Sequence, residues 1–154
     1  MMSPSTLKPP ATYAEWVELL DKLRKKEDDY GVMEAMHKGT IVWQSGVAER
    51  FSQKLIDTIN DRMNAAVDKF QKDMGRTNGH EGAIIQALLS LRKEFSFLYQ
   101  VINLPVIPEK DRPRYCSLVR EQADKAQSSL EDSAKKDRTG KMASIVKNHK
   151  VNNF

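Results

Sequence analysis

Residues 45–74 read SGVAERFSQKLIDTINDRMNAAVDKFQKDM, and their spacing decides the fold class. Trp43, Val47, Phe51, Leu55, Ile59, Met63, Val67, Phe70 and Met74 follow one another at steps of four or three residues. Such steps return each side chain to one side of an α-helix, so this stretch predicts a long helix with a continuous apolar stripe. At 1.5 Å per residue a helix over 45–74 is ~45 Å long. Thr40 or Ser45 is the expected cap, and Gly75, followed by Arg76-Thr77-Asn78-Gly79, the expected stop.

Beyond that turn, Ile84, Leu88, Leu91, Phe95, Leu98 and Ile102 step by alternating four and three residues, which is a heptad seam. Ile85, Leu89 and Tyr99 widen it, so the helix predicted over 81–103 packs on two sides. Pro105 and Pro108 forbid its continuation. A further helix is predicted over 109–136, starting near Pro108-Glu109 or at Arg112-Pro113, with Tyr115, Leu118, Val119, Gln122, Ala123, Ala126 and Leu130 on its inner face. Its small residues permit close approach of a neighbour but bury little area.

Upstream, Thr12 and Glu15 match a capping box, and Tyr13, Trp16, Val17, Leu20 and Leu23 mark a helix over 13–26. Glu27-Asp28-Asp29 offer caps for a short second helix through Val32, Met33 and Met36, with Gly39 as a left-handed stop. No stretch alternates apolar and polar residues at period two. The expected fold is all-α: an antiparallel bundle of three long helices, an amino-terminal helix, a short second helix, and a flexible basic carboxy-terminal tail. In domain terms, 1–11 is a flexible leader, 12–136 the helical bundle and 137–154 the tail. Phe51, Leu55, Ile59, Leu88, Leu91, Phe95, Leu98 and Leu118 are the expected core.

The charge is unevenly placed. The chain carries +4 overall, but Lys135–Phe154 alone holds six basic residues and one acid, a balance of +5. The body is therefore close to neutral, at −1. The first ten residues lack the apolar core of a secretory signal, and no run approaches the ~18 apolar residues of a membrane span. Cys116 is the one cysteine, which fits a reducing compartment. A cytoplasmic protein of bacterial type, with no membrane association, is the expectation.

Catalytic signatures are weak. Glu34 and His37 form a Glu-x-x-His pair, but a di-iron bundle needs two such motifs and two further glutamates. Cys116 follows Arg112 and Arg114, which favour a thiolate, yet no base accompanies it. The glycine-rich stretch 75–82 follows a helix rather than a strand and matches no phosphate-binding fingerprint. No enzyme activity, cofactor or metal is expected.

The tail is the distinctive feature. Lys135, Lys136, Arg138, Lys141, Lys147 and Lys150 alternate with Ile145, Val146 and Phe154, a pattern suited to a docking segment that orders on contact. The expected function is a non-catalytic helical interaction protein that binds another protein or copies of itself. The alternative is a nucleic-acid-binding accessory protein, in which this tail and exposed cations such as Arg50, Lys54, Arg62, Lys69, Lys72, Arg92 and Lys93 follow a phosphate backbone.

Overall fold

A computed structural model of the chain describes residues 7–41 and 46–154; Trp43, Ser45 and the leader before Leu7 lie outside them. The described residues form six α-helices and no strand: α1 (Tyr13–Arg24), α2 (Asp29–Lys38), α3 (Val47–Gly75), α4 (Glu81–Ile102), α5 (Arg112–Ala134) and α6 (Lys141–Asn148). A 3-10 turn over Glu109–Asp111 precedes α5, so that helix begins at Arg112, the later of its two expected starts. Among the described residues no helix is long and apolar enough to cross a membrane.

The chain gathers into two compact units. One comprises Met1–Arg62 and Val101–Tyr115; the other comprises Met63–Gln100 and Cys116–Phe154. Helices α3, α4 and α5 each contribute residues to both.

In the first unit, α1 starts on the predicted capping box. The Thr12 hydroxyl accepts from Glu15 N at 3.2 Å, and the Glu15 carboxylate accepts from Thr12 N at 3.1 Å and Ala11 N at 3.2 Å. Lys8 adds an ion pair to the same carboxylate at 3.0 Å. The Lys8 ammonium first, then the Ala11 and Thr12 amides, lower the Glu15 pKa from 4.5 to about 2. A carboxylate depressed by folding stabilises the fold above its unfolded pKa and ceases to do so as pH falls through its folded one. The contribution of Glu15 is thus complete above pH 4.5 and fades toward pH 2. An NMR titration should place its midpoint well below that of an ordinary glutamate, and Glu15→Gln should remove this part of the acid dependence. A midpoint at the ordinary value would show that the box does not persist in solution.

Of the leader expected to be flexible over 1–11, residues 7–11 are described, and these are partly docked. Pro10 is buried, and its carbonyl accepts from Thr40 N at 2.9 Å. Gly39 ends α2, but with φ −74 it is not in the left-handed region. Its reason is space: a Cβ there would lie 2.9 Å from both the Pro10 ring and the Trp16 indole. Trp16 is held from the other side, donating Nε1–H to Thr40 O at 2.8 Å and meeting Phe51 edge-on at 5.3 Å between ring centres. Leu19, Leu20, Leu23, Val32, Met36, Leu55, Ile59, Ile102 and Ile107 are also buried in this unit.

Arg62 corrects a second expectation. It is not an exposed cation but 2% exposed. Its guanidinium grips the Asp29 carboxylate at 2.6 and 2.5 Å and donates to Leu23 O at 3.0 Å. One side chain of α3 thereby ties the carbonyl end of α1 to the first residue of α2, each favourable for a cation or its counter-ion. Toward the start of α3, Tyr115 donates its hydroxyl to the buried Ser52 Oγ at 2.8 Å, and Arg114 binds the same oxygen. Arg112 donates to Ile107 O and Pro105 O.

In the second unit Ile84, Ala87, Leu88, Leu91, Phe95, Leu98, Val119 and Ala123 are buried, whereas Leu118, expected in the core, is half-buried. The α3 stripe loses burial along its length. Met63 is buried, and Val67, Phe70 and Met74 are only half-buried.

Candidate interaction surface

Residues 135–154 carry the sequence-predicted site. They form a folded segment, not a flexible tail. After α5 the chain turns at Asp137, whose carboxylate accepts from Met142 N at 3.0 Å and from Thr139 N and Oγ1 at 3.1 and 2.8 Å. The Met142 amide, ahead of the Thr139 hydroxyl and amide, holds this carboxyl below the usual aspartate range. Gly140, at φ 75, occupies the left-handed position that starts α6. The one acid of the segment is therefore committed to its own turn.

Helix α6 buries Ile145 and Val146 and leaves Ala143, Ser144 and Lys147 outside. The chain then runs back along α5, where Arg120, Asp124 and Gln127 recur at steps of four and three and so share one face. Gln127, 4% exposed, accepts from Val151 N at 3.0 Å and donates to Glu131 Oε1 at 3.0 Å, with Val146 O at 3.4 Å. Asp124 accepts from Asn152 Nδ2 at 2.9 Å. Arg120 donates to Asn152 O at 3.0 Å and to the Phe154 carbonyl. The same guanidinium lies 4.1 Å from the Phe154 ring centre and 4.8 Å from that of Tyr99, a cation between two π faces. Phe154 also meets Tyr99 edge-on at 5.4 Å and stacks on Phe95 at 6.3 Å.

The predicted site residues therefore separate by chemistry. Ile145 and Val146 are buried, and Phe154 is half-buried in its aromatic cage. Those three apolar anchors are engaged inside the unit. Lys135, Lys136, Arg138, Lys141, Lys147 and Lys150 all stay exposed. Lys135 lies 3.6 Å from Asp132 and Lys141 3.6 Å from Glu81, in open surface pairs that leave both cations hydrated.

A groove adjoins this segment. It encloses about 410 Å³ along α4, with Leu89, Phe97 and Phe154 giving apolar wall, and Arg92, Lys93 and Gln100 polar edge. No carboxylate side chain lines it. Comparison with protein families, with curated proteins and with solved structures returns no match.

The other candidates are dispersed. Glu34 is taken by Lys38 at 3.1 Å, and His37 is exposed. Among the described residues no three His, Cys, Asp or Glu side chains gather as a metal ion would need. The residues that sequence reasoning missed are Arg120, Asp124 and Gln127. Their signal was a polar row at helical spacing beside the apolar row of Val119, Ala123 and Ala126.

Proposed function

We propose that this chain is a non-catalytic helical interaction protein, its long helices forming an antiparallel bundle, which binds an acidic segment of a partner protein. The carrying observation is the α4 groove, with apolar walls, Arg92 and Lys93 at its edge and no acidic side chain in its lining. Apolar anchors supply most interface energy, and a single-sign rim supplies orientation and encounter rate. The exposed cations between Lys135 and Lys150 extend the attractive field, with Asp137 the one acid among them. A cytoplasmic location suits this role.

A synthetic peptide of alternating Glu and Leu or Phe residues is the probe. Arg92→Glu with Lys93→Glu should weaken its binding at least about tenfold, or 1.4 kcal/mol. Unchanged affinity in that variant would sink the groove as the site.

The exposed cations favour one second reading, contact with a nucleic-acid backbone. Six neutralised phosphates give a log–log salt slope near −5 on duplex DNA, by the rule of about −0.9 per phosphate. Changing Lys135, Lys136, Lys141 and Lys147 to Gln would then flatten that slope while leaving peptide binding in place. A slope near zero for the unmodified chain excludes it.

A further inference from the structure

We infer that the partner segment taken by the α4 groove is an acidic amphipathic α-helix of about three turns, rather than an extended chain. The inference rests on the groove being the docking surface proposed above, and adds the form its occupant has.

The groove follows one helix. Leu89, Arg92, Lys93, Ser96, Phe97 and Gln100 line it, and their steps of three and one residues place them in a single row along α4. The row is ~16 Å long at 1.5 Å per residue. Asn153 and Phe154 complete the lining. A row at helical spacing receives the ridge of a second helix, because ridge and groove then share one repeat. The enclosed volume of about 410 Å³ suits a ridge of side chains. A helix of that length and ~10 Å across fills over ~1,000 Å³, so its apolar side enters and the rest stays in water.

Hydrogen bonding decides between helix and strand. The main chain of residues 89–100 is paired within α4. Asn153 N donates to Lys150 O and Phe154 N to Asn152 O, and the Phe154 carbonyl accepts from Arg120. Strand addition needs an open main-chain edge, which this lining lacks. Its side chains supply more donors than acceptors. Arg92 and Lys93 only donate, and Ser96 Oγ already accepts from Gln100 Nε2 at 3.5 Å. An extended segment would bury N–H groups here with little to receive them, at the desolvation cost of unpaired groups. A helix closes its own main-chain bonds and presents side chains alone.

Charge sets the flanks. Neither Arg92 nor Lys93 forms an ion pair among the described residues. With no acidic side chain in the lining, Glu or Asp beside the partner's apolar row meets cations only.

The test compares two peptides of about twelve residues and one composition, half Leu and half Glu or Gln, capped at both ends. In one, Leu recurs at the spacing of the α4 row; in the other it alternates with the polar residues. The helically spaced peptide should bind the full chain at least about tenfold more tightly, the effect of roughly one main-chain group left unpaired in its rival. Difference circular dichroism should show it gaining helix as it binds. Arg92→Glu with Lys93→Glu should weaken it at least about tenfold, and Ser96→Trp, which fills the middle of the row, should block it. Equal or tighter binding of the alternating peptide, or binding with no gain of helix, overturns the helix and leaves the groove standing as a docking surface. Binding of neither peptide, or binding that the charge-reversed chain retains in full, overturns the groove and the helix together.

Discussion

Changing Arg62 to Ala is expected to destabilise the protein by about 3–5 kcal/mol, the range for removing one partner of a buried ion pair. Arg62 has a side chain only 3% exposed, and Asp29 keeps 26% of its own. The guanidinium therefore bears most of the desolvation, and the geometry compensates it: two short bonds to one carboxylate and a third to Leu23 O. Asp29→Ala should cost about 3 kcal/mol by the converse route, since arginine cannot shed its proton and would remain charged and buried. The two losses should not add. The double variant leaves neither charge orphaned, and the coupling should fall within about 0.5–3 kcal/mol. Urea titration followed by circular dichroism measures all three. A cost below about 1 kcal/mol for Arg62→Ala would mean that water reaches the pair and that α1 and α2 are held by apolar packing alone.

How far the sequence foretold this is best seen at individual residues. The α1 cap was legible because its partners, Thr12 and Glu15, lie three residues apart and the motif is local. Helix existence and limits in α3 and α4 followed from periodicity and from Gly75 and Pro105, which are local too. Arg62 was not legible by charge alone, since arginine is ordinarily solvated. Its position was informative all the same. Phe51, Leu55, Thr58 and Arg62 lie at steps of four, three and four, and Thr58, 1% exposed, returns its hydroxyl to Lys54 O at 2.7 Å. A polar residue on an apolar row is a sign of a specific buried partner, but not of which one.

The carboxy-terminal segment failed for a different reason. Its basic composition suggested a solvated, flexible chain, yet its order comes from Gln127 to Val151 and Arg120 to Phe154, separations of 24 and 34 residues. At such range the sequence does not name the partner, and the polar row of Arg120, Asp124 and Gln127 is the one periodic sign that they have any. Of the apolar residues read as docking anchors, Ile145 and Val146 are buried within the chain's own unit and Phe154 is half-buried there. What the surface retains from that pattern is the cations, so the candidate site moved from the segment's apolar residues to its charges and to the groove beside Phe154.

Phe51→Ala is expected to cost about 3–5 kcal/mol, the range for removing a buried phenylalanine, because transfer free energy is lost and a cavity remains. Phe51 is 2% exposed and receives Trp16 edge-on at 5.3 Å, a geometry that adds about 0.5–1.5 kcal/mol beyond area burial. Trp16 cannot easily follow the void. Its indole N–H is fixed to Thr40 O, and its ring is packed where Gly39 leaves room, so the cavity should stay open and the cost lie in the upper half of the range. Phe70 makes the comparison decisive. It continues the same stripe on the same helix, in a position that periodicity ranks as equal, yet it is only half-buried. Phe70→Ala should therefore cost less than half as much, by roughly the 25 cal/mol per Å² of apolar area that it withholds from water. Matched denaturation curves for the two variants, with unchanged slopes, test this directly. Equal losses would mean that α3 buries its stripe uniformly, as an isolated reading of its heptad-like spacing implies, and that Phe70 is covered by a surface in solution.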